Sequence, residues 1–85
     1  MYYVYVLQNS DRGFYIGYSS DLKQRIKDHL SKKGSKTTRN KDGWKLIYYE
    51  AYISKDDALG REKFLKGGSG RKYLNKQLQY FLSKE

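Results

Sequence analysis

The segment FYIGYSSDLKQRIKDHL, Phe14 to Leu30, brings Tyr15, Gly17, Arg25 and the chain's single histidine, His29, into seventeen consecutive positions. Arg25 and His29 are four residues apart, so on a helix they share one face. A guanidinium held there can present its fork to a phosphate, and an imidazole beside it can orient a water or shuttle a proton. These are parts from which a phosphodiester-cutting site could be built, although a solvated helix edge carries the same pair. Far along the chain, Glu62 lies four residues after Ala58 and three before Leu65, inside an apolar helical stripe. A carboxylate so placed is costly unless it is paired or holds a metal. A salt bridge to one of the many lysines and arginines meets that need as well as an ion would.

The elements that must position these groups follow from the patterning. Tyr2–Leu7, YYVYVL, and Phe14–Tyr18, FYIGY, are aromatic and β-branched, with the turn cluster QNSDRG between them, so they form a β-hairpin. With Asn9–Gly13 as the loop, Leu7 faces Tyr15 and Tyr5 faces Gly17. Tyr3, Tyr5, Leu7, Tyr15 and Gly17 then share one sheet face, and Tyr2, Val4, Val6, Phe14, Ile16 and Tyr18 make an apolar core face. Tyr5 and Tyr15 become diagonal neighbours beside a glycine that leaves space. Two amphipathic tyrosines at a core edge would look the same. A one-residue slip of register would dissolve the arrangement.

Ser19-Ser20-Asp21 offers an N-cap, with Gln24 completing a partial capping box, and Leu22, Ile26 and Leu30 mark the buried stripe of a helix from about Leu22 to Ser31. Lys32–Gly43 reads as a basic loop and Trp44–Ile53 as a third strand. Ser54, with Asp57 three residues on, caps a second helix whose buried positions are Ala58, Leu59 and Leu65, and GGSG at Gly67–Gly70 ends it. A last helix, about Arg71–Leu82, carries Leu74, Leu78, Phe81 and Leu82 on one face. The order ββαβαα predicts an α+β fold, a three-stranded, mostly antiparallel sheet flanked by helices.

The 85 residues suffice for one domain, 1–85, with a small core. The absence of cysteine excludes disulfides and thiolate metal sites, and one histidine without cysteine excludes a zinc site. No apolar run reaches signal-peptide or membrane-span length, so a reducing, cytoplasmic setting is expected. Eighteen Lys+Arg against nine Asp+Glu give +9, which favours a polyanionic partner, nucleic acid being the commonest. Lys36, Thr38 and Arg39 in the basic loop are candidates for phosphate positioning without base readout. Arg71 and Lys72, at a helix start, are candidates for the same role.

The same residues carry a resemblance to the GIY-YIG nuclease superfamily. Tyr3-Val4-Tyr5 stands where the family has its GIY element, and Tyr15-Ile16-Gly17 matches the second element outright. Arg25, His29 and Glu62 follow in the family's order, and the chain looks most like the short stand-alone bacterial members. Two departures are visible: Tyr3 replaces the glycine of the first element, and Asn75 is the one match for a late polar residue. The resemblance implies hydrolysis of phosphodiesters with one divalent ion, Mg²⁺ or Mn²⁺, held by Glu62. It also implies Tyr5 as general base, assisted by Tyr15 or His29, and Arg25 at the phosphorane oxygens. Gly17 and Asn75 would be accessory positions. DNA stands ahead of RNA as the implied substrate, and a protein partner or homodimer is left open. A degenerate relative that binds nucleic acid without cutting it, or an unrelated basic structural protein, are the other readings.

Overall fold

The computed structural model describes residues 1–31 and 43–84. Strands β1 (Tyr2–Gln8), β2 (Phe14–Ser19) and β3 (Lys45–Tyr52) form one sheet in the order β2-β1-β3, antiparallel throughout. Helix α1 (Leu22–Leu30) follows the hairpin. Helices α2 (Lys55–Leu65), α3 (Gly68–Gln77) and the short α4 (Gln79–Ser83) follow β3. The expected class, α+β, is the observed one.

The hairpin takes the expected register, with Tyr5 opposite Gly17 and Leu7 opposite Tyr15. Asn9 sets it. Its backbone N–H donates to the Gly13 carbonyl at 3.0 Å, and its side-chain Oδ1 accepts from the N–H groups of Asp11 and Gly13 at 3.0 and 2.7 Å. That self-capping turn holds Arg12 at φ +67°, a left-handed conformation unusual for a residue with a β-carbon. On the other side of β1, a bulge between Val6 and Leu7 shifts the pairing, so that Val6 faces Tyr48 and Leu7 faces Leu46.

Strand β1 is buried on both faces. Val4 and Val6 pack with Ala58, Leu65 and Leu74 under α2 and α3. Tyr5 and Leu7 pack with Trp44 and, beneath α1, with Leu22 and Ile26. The expectation of one core face is therefore corrected: the tyrosine face is a second, smaller core because α1 closes over it. A fully buried leucine such as Leu74 contributes about 1.5–3 kcal/mol by the water it sheds.

Two element boundaries also differ from expectation. The GGSG run does not separate helices up to Arg71; its last three residues are the first turn of α3, and Gly67 is the N-cap. The reason is contact: a β-carbon on Gly70 would lie 2.3 Å from the Phe64 carbonyl oxygen and 2.4 Å from Leu65 Cα, so α3 crosses the end of α2 at a distance only glycine permits. The last helix, expected unbroken to Leu82, is interrupted at Leu78, whose backbone leaves the helical region at φ −106°, ψ 23°. In α2, Leu59 is 37% exposed instead of buried, while Arg61 turns inward.

Arg61 belongs to a polar network that no spacing argument indicated. The Glu50 carboxylate accepts from Arg61 Nε at 2.8 Å and Nη2 at 3.0 Å, and from the hydroxyls of Tyr48 and Tyr52. The guanidinium also stacks 4.3 Å from the Tyr73 ring centroid and 5.1 Å from that of Phe64. Burial would raise the Glu50 pKa, but the bonds from Arg61, Tyr48 and Tyr52 and the Arg61 charge outweigh it and hold the carboxyl below its ordinary value. This network fixes α2 to β3.

Candidate active site

Tyr5 occupies the middle of the central strand, and its ring has no exposed surface. The space for that ring comes from the facing residue: a β-carbon on Gly17 would lie 2.3 Å from the Tyr5 hydroxyl and 2.3 Å from Cζ. Gly17 is thus required by a close approach, as the pairing of the two strands implies.

Helix α1 delivers the next groups. Asp21 caps it, its carboxylate accepting from Gln24 N–H at 3.2 Å. The helix is rotated relative to expectation. Leu30 is 63% exposed, and His29, expected beside the stripe, is only 3% exposed. The exchange has a cause. His29 Nε2 lies 2.9 Å from the Tyr5 hydroxyl, so each of two buried polar groups satisfies the other. Arg25 Nε donates to the same hydroxyl at 3.4 Å. Arg25 is a donor only, so the hydroxyl oxygen accepts from it, while the direction of the bond to His29 Nε2 is set by the imidazole tautomer.

The electrostatics agree. Burial pushes the His29 pKa below its ordinary 6.5, and the Arg25 charge pushes the same way against a smaller opposing effect of Asp28. Burial raises the Tyr5 pKa above 10; the hydrogen bond and charge of Arg25 oppose this but do not overcome it, and Tyr15 and Glu62 add to the rise. At rest both partners are neutral. Tyr15 completes the aromatic wall: its ring centroid lies 6.4 Å from Tyr5, 5.1 Å from His29 and 6.2 Å from Trp44. Arg25 and Tyr15 are half-buried, so the solvent side of the cluster is theirs.

Glu62 lies on α2. It is half-buried, it acts electrostatically on Tyr5, and Lys66 Nζ lies 3.1 Å from its Oε2. The salt bridge open to it on sequence grounds is therefore present, but 21% of the Glu62 side chain is open to solvent. Among the described residues no cluster of three or more His, Asp or Glu side chains converges in a metal-binding arrangement. A hard cation that keeps several waters needs only one protein carboxylate, and Glu62 fits that requirement where it would not fit zinc.

Beside Tyr15 opens a cavity of about 460 Å³, lined among others by Phe14, Ile16, Leu65, Lys66 and Arg71. The Arg71 guanidinium sits 4.0 Å above the Phe14 ring, on the sheet face opposite Tyr5, and lines the same cavity as Tyr15. Lys72 is exposed on the same turn. Asn75 is exposed on α3 and makes no hydrogen bond to the cluster. Lys36, Thr38 and Arg39 lie outside the described residues. No helix among the described residues is long and apolar enough to cross a membrane.

Comparison with known proteins points the same way. Residues 1–76 match the GIY-YIG catalytic domain family. A UPF0213 protein of Streptococcus pneumoniae serotype 4 is 44% identical over 64 residues, which are 75% of this chain and 65% of that protein, just under two thirds of its length. A UPF0213 protein of Streptococcus pyogenes serotype M5 is 40% identical over 78 residues, 92% of this chain and 82% of the relative. The solution NMR structure of a UPF0213 protein from Bacillus halodurans aligns with a TM-score of 0.56 at 39% identity, covering 95% of this chain and 85% of that one. The chain belongs to the GIY-YIG nuclease superfamily, among relatives that are the short single-domain proteins of the UPF0213 group.

Proposed function

We propose that this chain is a divalent-metal-dependent endonuclease that hydrolyses phosphodiester bonds, of DNA ahead of RNA. The observation that carries the reading is the meeting of His29 Nε2 and Arg25 Nε on the Tyr5 hydroxyl, at 2.9 and 3.4 Å. Structural packing does not call for a buried phenol with a proton acceptor on one side and a cation on the other.

Tyr5 acts as the general base. It takes the proton of the attacking water while passing its own to His29, so no free phenolate accumulates at a site where burial holds the phenol protonated. An anionic phosphate entering beside His29 raises the proton affinity of the imidazole, which favours this transfer in the complex over the resting site. Arg25 holds Tyr5 only weakly at 3.4 Å, and a phosphate draws its fork towards the oxygens that gain charge in the phosphorane. Tyr15 lines the approach. Glu62 would hold Mg²⁺ or Mn²⁺ once it parts from Lys66, and the bound ion supplies charge compensation at the phosphate. Arg71, with Lys72, Lys36, Thr38 and Arg39, would position neighbouring phosphates.

Purified protein with Mg²⁺ or Mn²⁺ is expected to nick members of a panel of branched, single-stranded and duplex nucleic acids, and Glu62→Gln to abolish nicking while the fold persists. Wild type that cuts none of them overturns the nuclease reading. One observation favours a second reading, a nucleic-acid binder that does not cut: Lys66 already neutralises the candidate metal carboxylate. Retarded migration of the same panel without cleavage is its signature.

A further inference from the structure

The sheet face that carries Tyr5 continues past α1 into a second concavity. Tyr49 on β3 is directly opposite Tyr5, so it projects from the same face, yet it is 53% exposed. Tyr3 stands edge-on to it, with ring centroids 6.2 Å apart. Leu46, 37% exposed, and Ile26 extend the apolar floor of a groove of about 570 Å³ between α1 and β3. Lys23 and Lys27, one helical turn apart, form its rim, with Asp21 at one end. Helical spacing puts the lysines on the flank of α1 turned away from Arg25 and His29. None of these residues takes part in the proposed chemistry.

An exposed aromatic face bordered by lysines suits a limited set of occupants. A second copy of this chain would set lysine rim against lysine rim between two bodies of formal charge +9, which opposes close docking. A polyanion with flat apolar rings matches both features. We propose that this groove binds an unpaired nucleic-acid strand, with bases stacked on Tyr49 and Tyr3 and backbone phosphates against Lys23 and Lys27. Bases paired within a duplex present their edges and not their faces, so the groove selects a single-stranded segment. The helix that separates groove from cluster is about 10 Å across, so the strand held there lies a few nucleotides from the scissile position. The assignment rests on nucleic acid being the substrate, but not on its being cut.

The test is therefore binding without metal. Fluorescence anisotropy with short labelled single strands of DNA and of RNA, and with a blunt duplex, is measured in EDTA. Tyr49→Ala is expected to weaken single-strand binding by about fivefold or more, Tyr49→Phe to restore it, and both to leave the salt slope unchanged. Lys23→Gln with Lys27→Gln is expected to lower the single-strand slope by roughly 0.7 per lysine. In the wild-type protein, which needs no variant to fold, titration with the strand should shift the ring resonances of Tyr3 and Tyr49. Equal single-strand affinity of wild type and Tyr49→Ala, unmoved Tyr3 and Tyr49 resonances, tighter binding of the duplex, or a dimer seen by light scattering that Tyr49→Ala dissolves would each overturn the proposal. Absence of cleavage by wild type would overturn the nuclease reading and leave this one standing.

Discussion

Tyr5 and His29 are hydrogen-bonded across 2.9 Å, and the protonation of His29 sets a pH dependence. The folded pKa of His29 lies below 6.5 because burial and Arg25 disfavour the imidazolium. Below pH 6.5 the unfolded chain therefore takes up a proton before the folded one does. The stability that neutral His29 contributes is complete above 6.5 and shrinks as pH falls towards the lowered folded value. Glu50 acts lower on the scale: its folded pKa is under 4.5, so its contribution is complete above 4.5 and lost as pH falls through the folded value. Urea midpoints measured against pH should fall in two stages, and His29→Gln should remove only the upper one. Cleavage by the wild type should show an acid limb below pH 6.5, since an imidazolium cannot accept the Tyr5 proton. Much of this site is legible in the sequence because strand alternation and the i,i+4 rule are local: Tyr5 against Gly17 and Arg25 beside His29 follow from spacing alone. The burial of His29 does not follow. It depends on how α1 rolls on the sheet, and the bond to Tyr5 that decides this joins residues 24 apart.

Helix α2 and the start of α3 carry glycines that composition alone treats alike. Gly60 sits inside α2, and a β-carbon there would meet nothing within 4 Å. Gly60→Ala therefore removes backbone entropy from the unfolded chain at no steric cost and should stabilise by about 0.5–1 kcal/mol. Gly70→Ala meets backbone, the Phe64 carbonyl and Leu65 Cα, which cannot swing aside, and should cost about 1–3 kcal/mol. Thermal melts of the two variants decide the matter, and opposite shifts in Tm are expected. The element order and the hairpin register are readable because turn residues and period-two alternation are dense there. The GGSG boundary escapes the sequence for a physical reason: intrinsic propensity puts glycine outside helices, and the interhelical approach that overrides it is a tertiary contact. The Glu50–Arg61 network is hidden likewise, since an acid on a strand and a base eleven residues later carry no periodic signal.

At the scale of the molecule, the +9 charge attracts any polyanion, but attraction and contact leave different traces. A lysine or arginine that touches a phosphate releases a condensed counterion, so neutralising one such cation lowers the slope of log K against log salt by about 0.9 on duplex DNA. A cation that merely adds to the net charge leaves that slope almost unchanged. Arg71, set over Phe14 in the cavity that Tyr15 also lines, and Lys36 and Arg39 of the basic segment are expected to belong to the first kind. Lys55, exposed at the start of α2 and outside every cavity described, supplies the contrast. Arg71→Gln and the Lys36→Gln, Arg39→Gln pair should each flatten the slope in equilibrium titrations over a range of salt, while Lys55→Gln should not. A slope that stays the same in the Lys36, Arg39 double variant would remove both residues from the interface. A slope that falls equally in all three would mean that the whole surface, and no particular path across it, meets the nucleic acid.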